Sequence, residues 1–222
     1  MDTYFSSTTG FEGSTCAQLF VGLVSNMINV FPMPSKAGTR IVKAYKDFMC
    51  NEGVPACLHR NDSKEQKTFS ITDLNRDYMV KDSFSEPYHP NQNPAESLGV
   101  KMIKTGAQAI MDRTGAKPYV WPFVHKYIAD VHNHCSSPML NWKTPISVRH
   151  GYTLDISAFL QFQFWEKVYF HEDEQHPKSK ERAGYWMGVN HHVGDALTYD
   201  IYTEDTGQHV VRSNILSADP RR

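Results

Sequence analysis

Apolar side chains crowd residues 16–33: Leu19, Phe20, Val21, Leu23 and Val24, then Ile28, Val30 and Phe31. That density of strand formers predicts two extended segments, with a bend at Ser25-Asn26. The period then lengthens. Ile41, Val42, Ala44, Tyr45, Phe48 and Met49 recur at helical spacing after Ser35, a residue suited to capping, and Gly53 offers a stop. Val54-Pro55 opens another extended stretch. Strand, strand, helix, strand is the order of a mixed α/β domain.

Residues 60–93 are polar, with one short helical pattern from Leu74 to Val80, and Pro87, Pro90 and Pro94 punctuate their end. Asn93-Pro94-Ala95-Glu96 reads as a helix start: a capping amide, proline in the first position and an acid in the first turn. The apolar face Leu98, Met102, Ile103, Ala107, Ile110 and Met111 follows, closed by Arg113 and Gly115. A further helix is predicted over 119–134 from Val120, Val124, Tyr127, Ile128 and Val131, with Trp121, Phe123 and Tyr127 read as core aromatics.

Past about residue 144 the period falls to two. Phe162, Phe164, Val168 and Phe170 alternate with polar neighbours, as do Leu197, Tyr199 and Ile201, and Glu204-Asp205-Thr206-Gly207 turns into Val210-Val211-Arg212. The charged stretch from Glu172 to Arg182 reads as a solvated loop. The chain is therefore divided into an α/β core, 1–142, and a small β-rich module, 143–222.

The length of 222 residues suits one large domain or one and a half, and 40% hydrophobic with 21% charged residues excludes wholesale disorder. The apolar runs fall far short of the roughly 20 residues that a membrane span needs. Met1-Asp2-Thr3-Tyr4-Phe5 lacks the basic start of a secretory leader, so a nuclear or cytoplasmic location away from membranes is expected. Lys and Arg number 23 against 24 Asp and Glu, a net charge of −1. Any contact with nucleic acid must then come from local clusters or bridging metal ions, not from a global positive field. Cys16, Cys50, Cys57 and Cys135 form no C-x-x-C pair and read as free, buried thiols.

Three acids carry the candidate chemistry. Asp2 lies at an opening strand, Asp62 just after an extended stretch and Glu96 at a helix start. Carboxylates so placed can converge on one cleft and hold hard divalent cations, which stabilise the attacking and leaving oxygens of a phosphoryl transfer. Glu96 has a second reading, in which Asn93-x-x-Glu96 is a capping box that satisfies helix-end donors.

Several segments together resemble the integrase encoded by copia-like long-terminal-repeat retrotransposons, a part of their Pol polyprotein. Asp2-Thr3-Tyr4-Phe5 is similar to that family's first catalytic strand and Cys16-Ala17-Gln18-Leu19-Phe20-Val21-Gly22 to its second. Gly53-Val54-Pro55 leads towards a segment resembling its D-N-x-K-E box. The proline-rich run from Ser85 to Glu96, ending Gln92-Asn93-Pro94-Ala95-Glu96, is the most specific element. Trp142-Lys143-Thr144-Pro145, Gly151-Tyr152-Thr153-Leu154-Asp155-Ile156-Ser157 and Gly184-Tyr185-Trp186-Met187-Gly188-Val189 resemble the region after the core.

The resemblance implies a ribonuclease-H-like α/β fold followed by the β-rich module. It implies a polynucleotidyl transferase that uses Mg²⁺ or Mn²⁺ to trim element DNA ends and join them to target DNA, working as a homo-oligomer. Asp2, Asp62 and Glu96 would be the catalytic and metal-binding residues. Apart from the resemblance, Lys101 and Lys104, five and eight residues past Glu96, and His89 in the loop before it are candidate DNA contacts, with solvated side chains as the alternative reading. The first strand reads as truncated at Asp2, and the chain as a fragment of such a polyprotein. One departure matters. Aligning Ser63-Lys64-Glu65 with the box puts Asn61 where the family has its second catalytic aspartate, and Asp62 where it has asparagine. The expectation is a DNA-binding core with impaired end processing and strand transfer. The alternative is an inert nucleic-acid- or protein-binding remnant of the same fold.

Overall fold

The structure, a computed structural model, describes residues 1–61, 63, 69–86, 89, 92–153, 155–172, 180–194 and 197–219. Strands β1 (Asp2–Phe5), β2 (Cys16–Val21) and β3 (Ile28–Met33) form an antiparallel meander, with Asp2 opposite Leu19 and Leu19 opposite Val30. The predicted bend becomes a tight connection in which Asn26 takes φ 54°.

Helix α1 (Gly38–Glu52) crosses to β4 (Cys57–Arg60), and α2 (Phe69–Asp77) crosses to β5 (Lys81–Phe84), which lies parallel to β4. Helix α1 starts two residues later than Ser35 suggests, after an extended Ala37, and ends as expected at Gly53 with φ 83°. The strand β5 is too short and polar to show a periodic signal, since only its pairing with β4 defines it. The Met1 nitrogen donates to the His59 carbonyl at 2.5 Å and ties the head of β1 to β4.

Alternation along β2 explains how the sheet is covered on both faces. Cys16 and Phe20 point to the α1–α2 side, where Met33, Ile41, Tyr45, Leu58 and Ile71 are buried with them. Ala17 and Leu19 point the other way, against Ile103, Trp121 and Ala129. These last residues belong to α3 (Lys101–Thr114) and α4 (Trp121–His134). A six-residue π-helical turn, Ala95–Val100, precedes α3, so the wide turn interrupts the predicted helix at its start. Gly115 at φ 68° ends α3.

Helix α4 is covered on two sides. Val120 and Val124, at its head, share a second cluster with Phe164, Val168, Trp186 and Ile201 of the carboxyl-terminal region. That region begins with two short helices that its sequence pattern does not announce, α5 (Pro145–His150) and α6 (Ser157–Leu160). An antiparallel sheet follows, built from β6 (Lys167–His171), β7 (Glu181–Val189), β8 (Tyr199–Thr203), β9 (His209–Arg212) and β10 (Ile215–Ser217) in the order β10-β6-β7-β8-β9.

Some expectations are corrected here. Phe162 and Phe164 are buried, but from a turn before β6 and not within a strand. Leu197 is exposed and precedes β8. Glu181 and Arg182 are not loop residues. They open β7, where Arg182 is paired with Glu172 at 2.5 Å and Asp205 at 2.6 Å. Residues 173–179 of that stretch lie outside the described residues. All four cysteines are free, as expected, but only Cys16 is buried. Among the described residues, no helix is long and apolar enough to cross a membrane.

Candidate functional site

The site lies where β1, β4 and the π-helical turn meet. Period-two geometry dictates which side chains reach it. His59 and Asn61 share one face of the β4 segment, and Leu58 and Arg60 share the other. Arg60 is fully buried on its own side, forking onto Asp82 at 3.0 and 2.6 Å, with Asn75 donating to the same carboxylate. That buried network makes a one-residue slip of β4 costly, and so keeps Asn61 pointed at β1.

Asn61 stands between the two predicted carboxylates. Its Nδ2 donates to Asp2 Oδ1 at 3.0 Å and to Glu96 Oε2 at 2.9 Å. Its Oδ1 accepts from Asn93 Nδ2 at 2.7 Å, and from the Ser85 hydroxyl at 3.4 Å. Asn93 in turn donates to the Met1 carbonyl at 3.1 Å and accepts from the Ala95 N–H at 3.1 Å. Behind Ser85, the His59 ring bridges the Ser83 and Ser85 hydroxyls at 2.9 and 3.1 Å.

Asp2 is buried, and burial pushes its carboxyl up to about 6. The neighbouring Glu96 carboxylate pushes the same way, against a backbone N–H bond at Thr3 and the charge of Lys36. Burial also lowers the His59 imidazole.

Glu96 is carried to the site by the π-helical turn. A Cβ on Gly99 would sit 2.6 Å from Leu19 Cδ2 and 2.9 Å from Val21 Cγ2, so glycine lets this turn press directly on β2. π-turns of this kind recur at functional positions. Asn93 does cap the turn, but onto the Ala95 N–H, while the Glu96 carboxylate meets the Asn61 amide.

Of the predicted site residues, Asp2 and Glu96 are brought together through Asn61, and Asp62 lies outside the described residues. Lys101 and Lys104 are exposed on α3. Lys104 Nζ lies 5.4 Å from the centre of the Tyr4 ring, two residues along β1 from Asp2. His89 is exposed, its Nε2 3.8 Å from the Glu86 carboxylate. Sequence reasoning missed Ser85, His59 and the second role of Asn93. The first two share the site-facing side of adjacent strands, a signal that emerges only once β5 is paired.

A divalent cation needs lone pairs turned towards it. Between Asp2 and Glu96 the Asn61 side chain presents N–H groups, with its oxygen turned away. Among the described residues, the donor set so arranged does not fit the expected Mg²⁺ or Mn²⁺. Among the described residues, no group of three His, Cys, Asp or Glu side chains could hold a metal ion.

No family model and no curated protein matches the sequence. Solved structures do. The HTLV-2 integrase catalytic core domain in complex with magnesium (trimeric form) superposes with a TM-score of 0.54 at 12% identity, covering 67% of this chain and 93% of that one. The BIV integrase catalytic core domain gives 0.52 at 12% identity, covering 67% and 90%. The simian T-cell lymphotropic virus intasome, in complex with the PP2A regulatory subunit B56 gamma, gives 0.51 at 11% identity, covering 95% and 78%. The chain thus has the mixed α/β, ribonuclease-H-like fold of integrase catalytic cores, with an additional β-rich region.

Proposed function

We propose that this chain is an integrase-type DNA-binding core, derived from the Pol polyprotein of a copia-like retrotransposon, whose end processing and strand transfer are impaired. The observation that carries this reading is the Asn61 amide donating to both Asp2 and Glu96. Asp2 and Glu96 stand together with the Asn61 amide between them, and the sequence alignment puts that amide where the family has its second aspartate. An amide brings no negative charge to hold a divalent cation, so it weakens the chemistry without dismantling the fold.

DNA is the proposed partner, with element ends and target DNA as its two forms and a homo-oligomer as the working unit. Lys101 and Lys104 on exposed positions of α3, with His89 nearby in sequence to the Gln92-to-Glu96 run, would meet backbone phosphates beside the site. The runner-up reading is an inert remnant that binds nucleic acid or protein through the same fold. The incompatible donor set favours it as far as metal chemistry is concerned.

The test is twofold. Fluorescence anisotropy with element-end duplexes should show binding that weakens linearly on a log–log salt plot. Strand-transfer assays with Mg²⁺ or Mn²⁺ should give little or no product with the wild type, and more with Asn61→Asp. Absence of salt-dependent DNA binding overturns the DNA reading, and wild-type transfer as strong as that of Asn61→Asp overturns the impairment.

A further inference from the structure

We propose that the Asn61 amide is a built-in substitute for a divalent cation, and that Asn93 is the positioning residue that aims it. This deepens the reading above and rests on it for the identity of the site.

The argument follows hydrogen-bond direction from one end of a relay to the other. The Ala95 backbone N–H can only donate, so Asn93 must meet it with oxygen. The Asn93 amide nitrogen is then left for the Met1 carbonyl and Asn61 Oδ1, both acceptors. Turning Asn93 over would set an NH₂ against an N–H and an oxygen against two oxygens. At 1% exposure Asn93 is out of reach of bulk solvent, which therefore does not relieve those conflicts. Asn93 therefore demands oxygen from Asn61, and Asn61 must send its NH₂ the other way.

That NH₂ carries two hydrogens, and two carboxylates receive them, one each. The amide does structurally what a bridging cation would do: it draws β1, β4 and the π-helical turn before α3 to one point. It does so without metal, and its orientation leaves no lone pair for one. Asp and Asn have the same shape, so Asn61→Asp would keep one oxygen on Asn93 and turn the other onto Asp2 and Glu96. Three carboxylates would then repel each other until a cation entered.

Asn93→Asp provides a sharper test. An acceptor there would set an oxygen against the Met1 carbonyl, which lowers stability, and would call for the Asn61 NH₂, reversing the Asn61 side chain and turning its carbonyl oxygen towards Asp2 and Glu96. The site would gain a cation ligand without any change at Asn61 itself. A role for Asn93 that is merely structural predicts destabilisation alone.

The experiment is thermal melting of the full chain, without DNA, in EDTA and then across a Mg²⁺ or Mn²⁺ series. The wild-type midpoint should not move with either metal. Asn61→Asp should melt lower than wild type in EDTA and rise by several degrees, saturably, with metal. Asn93→Asp should also gain a metal-dependent rise, and Glu96→Gln added to either variant should abolish it. If Asn93→Asp does not fold, Asn93→Leu within Asn61→Asp takes its place, and its metal-dependent rise should be smaller than that of Asn61→Asp. A wild-type midpoint that rises with metal as far as Asn61→Asp overturns the substitution. An Asn61→Asp midpoint indifferent to metal overturns it equally. Because no DNA is present, either result is separate from failure of the DNA-binding reading.

Discussion

Tyr4 and His125 meet in a buried hydrogen bond, hydroxyl to Nδ1 at 2.8 Å, although they stand 121 positions apart in the chain. The bond pins β1 to α4, and the Trp121 ring lies 5.0 Å from the imidazole. Burial, with help from the charge of Lys104, lowers His125 to about 4. Two residues before Tyr4 on the same strand face, Asp2 is raised to about 6.

These two shifts act on stability with opposite signs between about pH 4 and 6. His125 has an ordinary value of 6.5, so in this window the unfolded chain takes up its proton first, and stability rises with pH. Asp2 has an ordinary value of 3.8, so the folded chain holds its proton longer, and stability falls as pH rises. Each slope is at most about 1.4 kcal/mol per pH unit. Asp2→Asn should make the urea midpoint climb more steeply from pH 4 to 6 than in the wild type. His125→Phe should make it climb less or fall. A His125→Phe profile as steep as the wild type's would contradict this account.

Gly99→Ala tests how the Glu96 turn is seated. The new methyl would collide with Leu19, which is buried and lies opposite Asp2 on the neighbouring strand. Overpacking of this kind costs about 1–3 kcal/mol. The loss should appear in urea denaturation, and a neutral result would mean that the turn does not press on β2.

Trp186 joins the five-stranded sheet to α4. It is fully buried, edge-on to Tyr127 at 5.6 Å, and its indole N–H meets no acceptor among the described residues. Trp186→Ala should cost about 3–5 kcal/mol. Trp186→Phe should cost less, because it also removes the unsatisfied donor. Because Val120 and Val124 share that cluster, far-UV circular dichroism should record one transition in both variants. Two separated transitions would show that the β-rich region unfolds independently.

Lys104→Ala should lower the salt slope of DNA binding by about 1 and weaken binding to all sequences alike. The aromatic ring beneath its ammonium stays in place, so the thermal midpoint should change little. An unchanged slope would remove Lys104 from the DNA-contact set.

Much of the core was legible in the chain. The run from Cys16 to Met33, the face of α1 and the helix stops at Gly53 and Gly115 follow from periodicity and from the backbone freedom of glycine. Asp2 and Glu96 were legible as an acid on a first strand and one at a helix start. The short polar strand β5 was not, because four residues without alternation gain their identity only from a partner. Nor was the orientation of the Asn61 amide. Local propensity determines which atoms a side chain owns. Which of them faces the carboxylates depends on a directed chain of donors and acceptors from Ala95 through Asn93, and those residues become neighbours only when β1, β4 and the π-turn pack together.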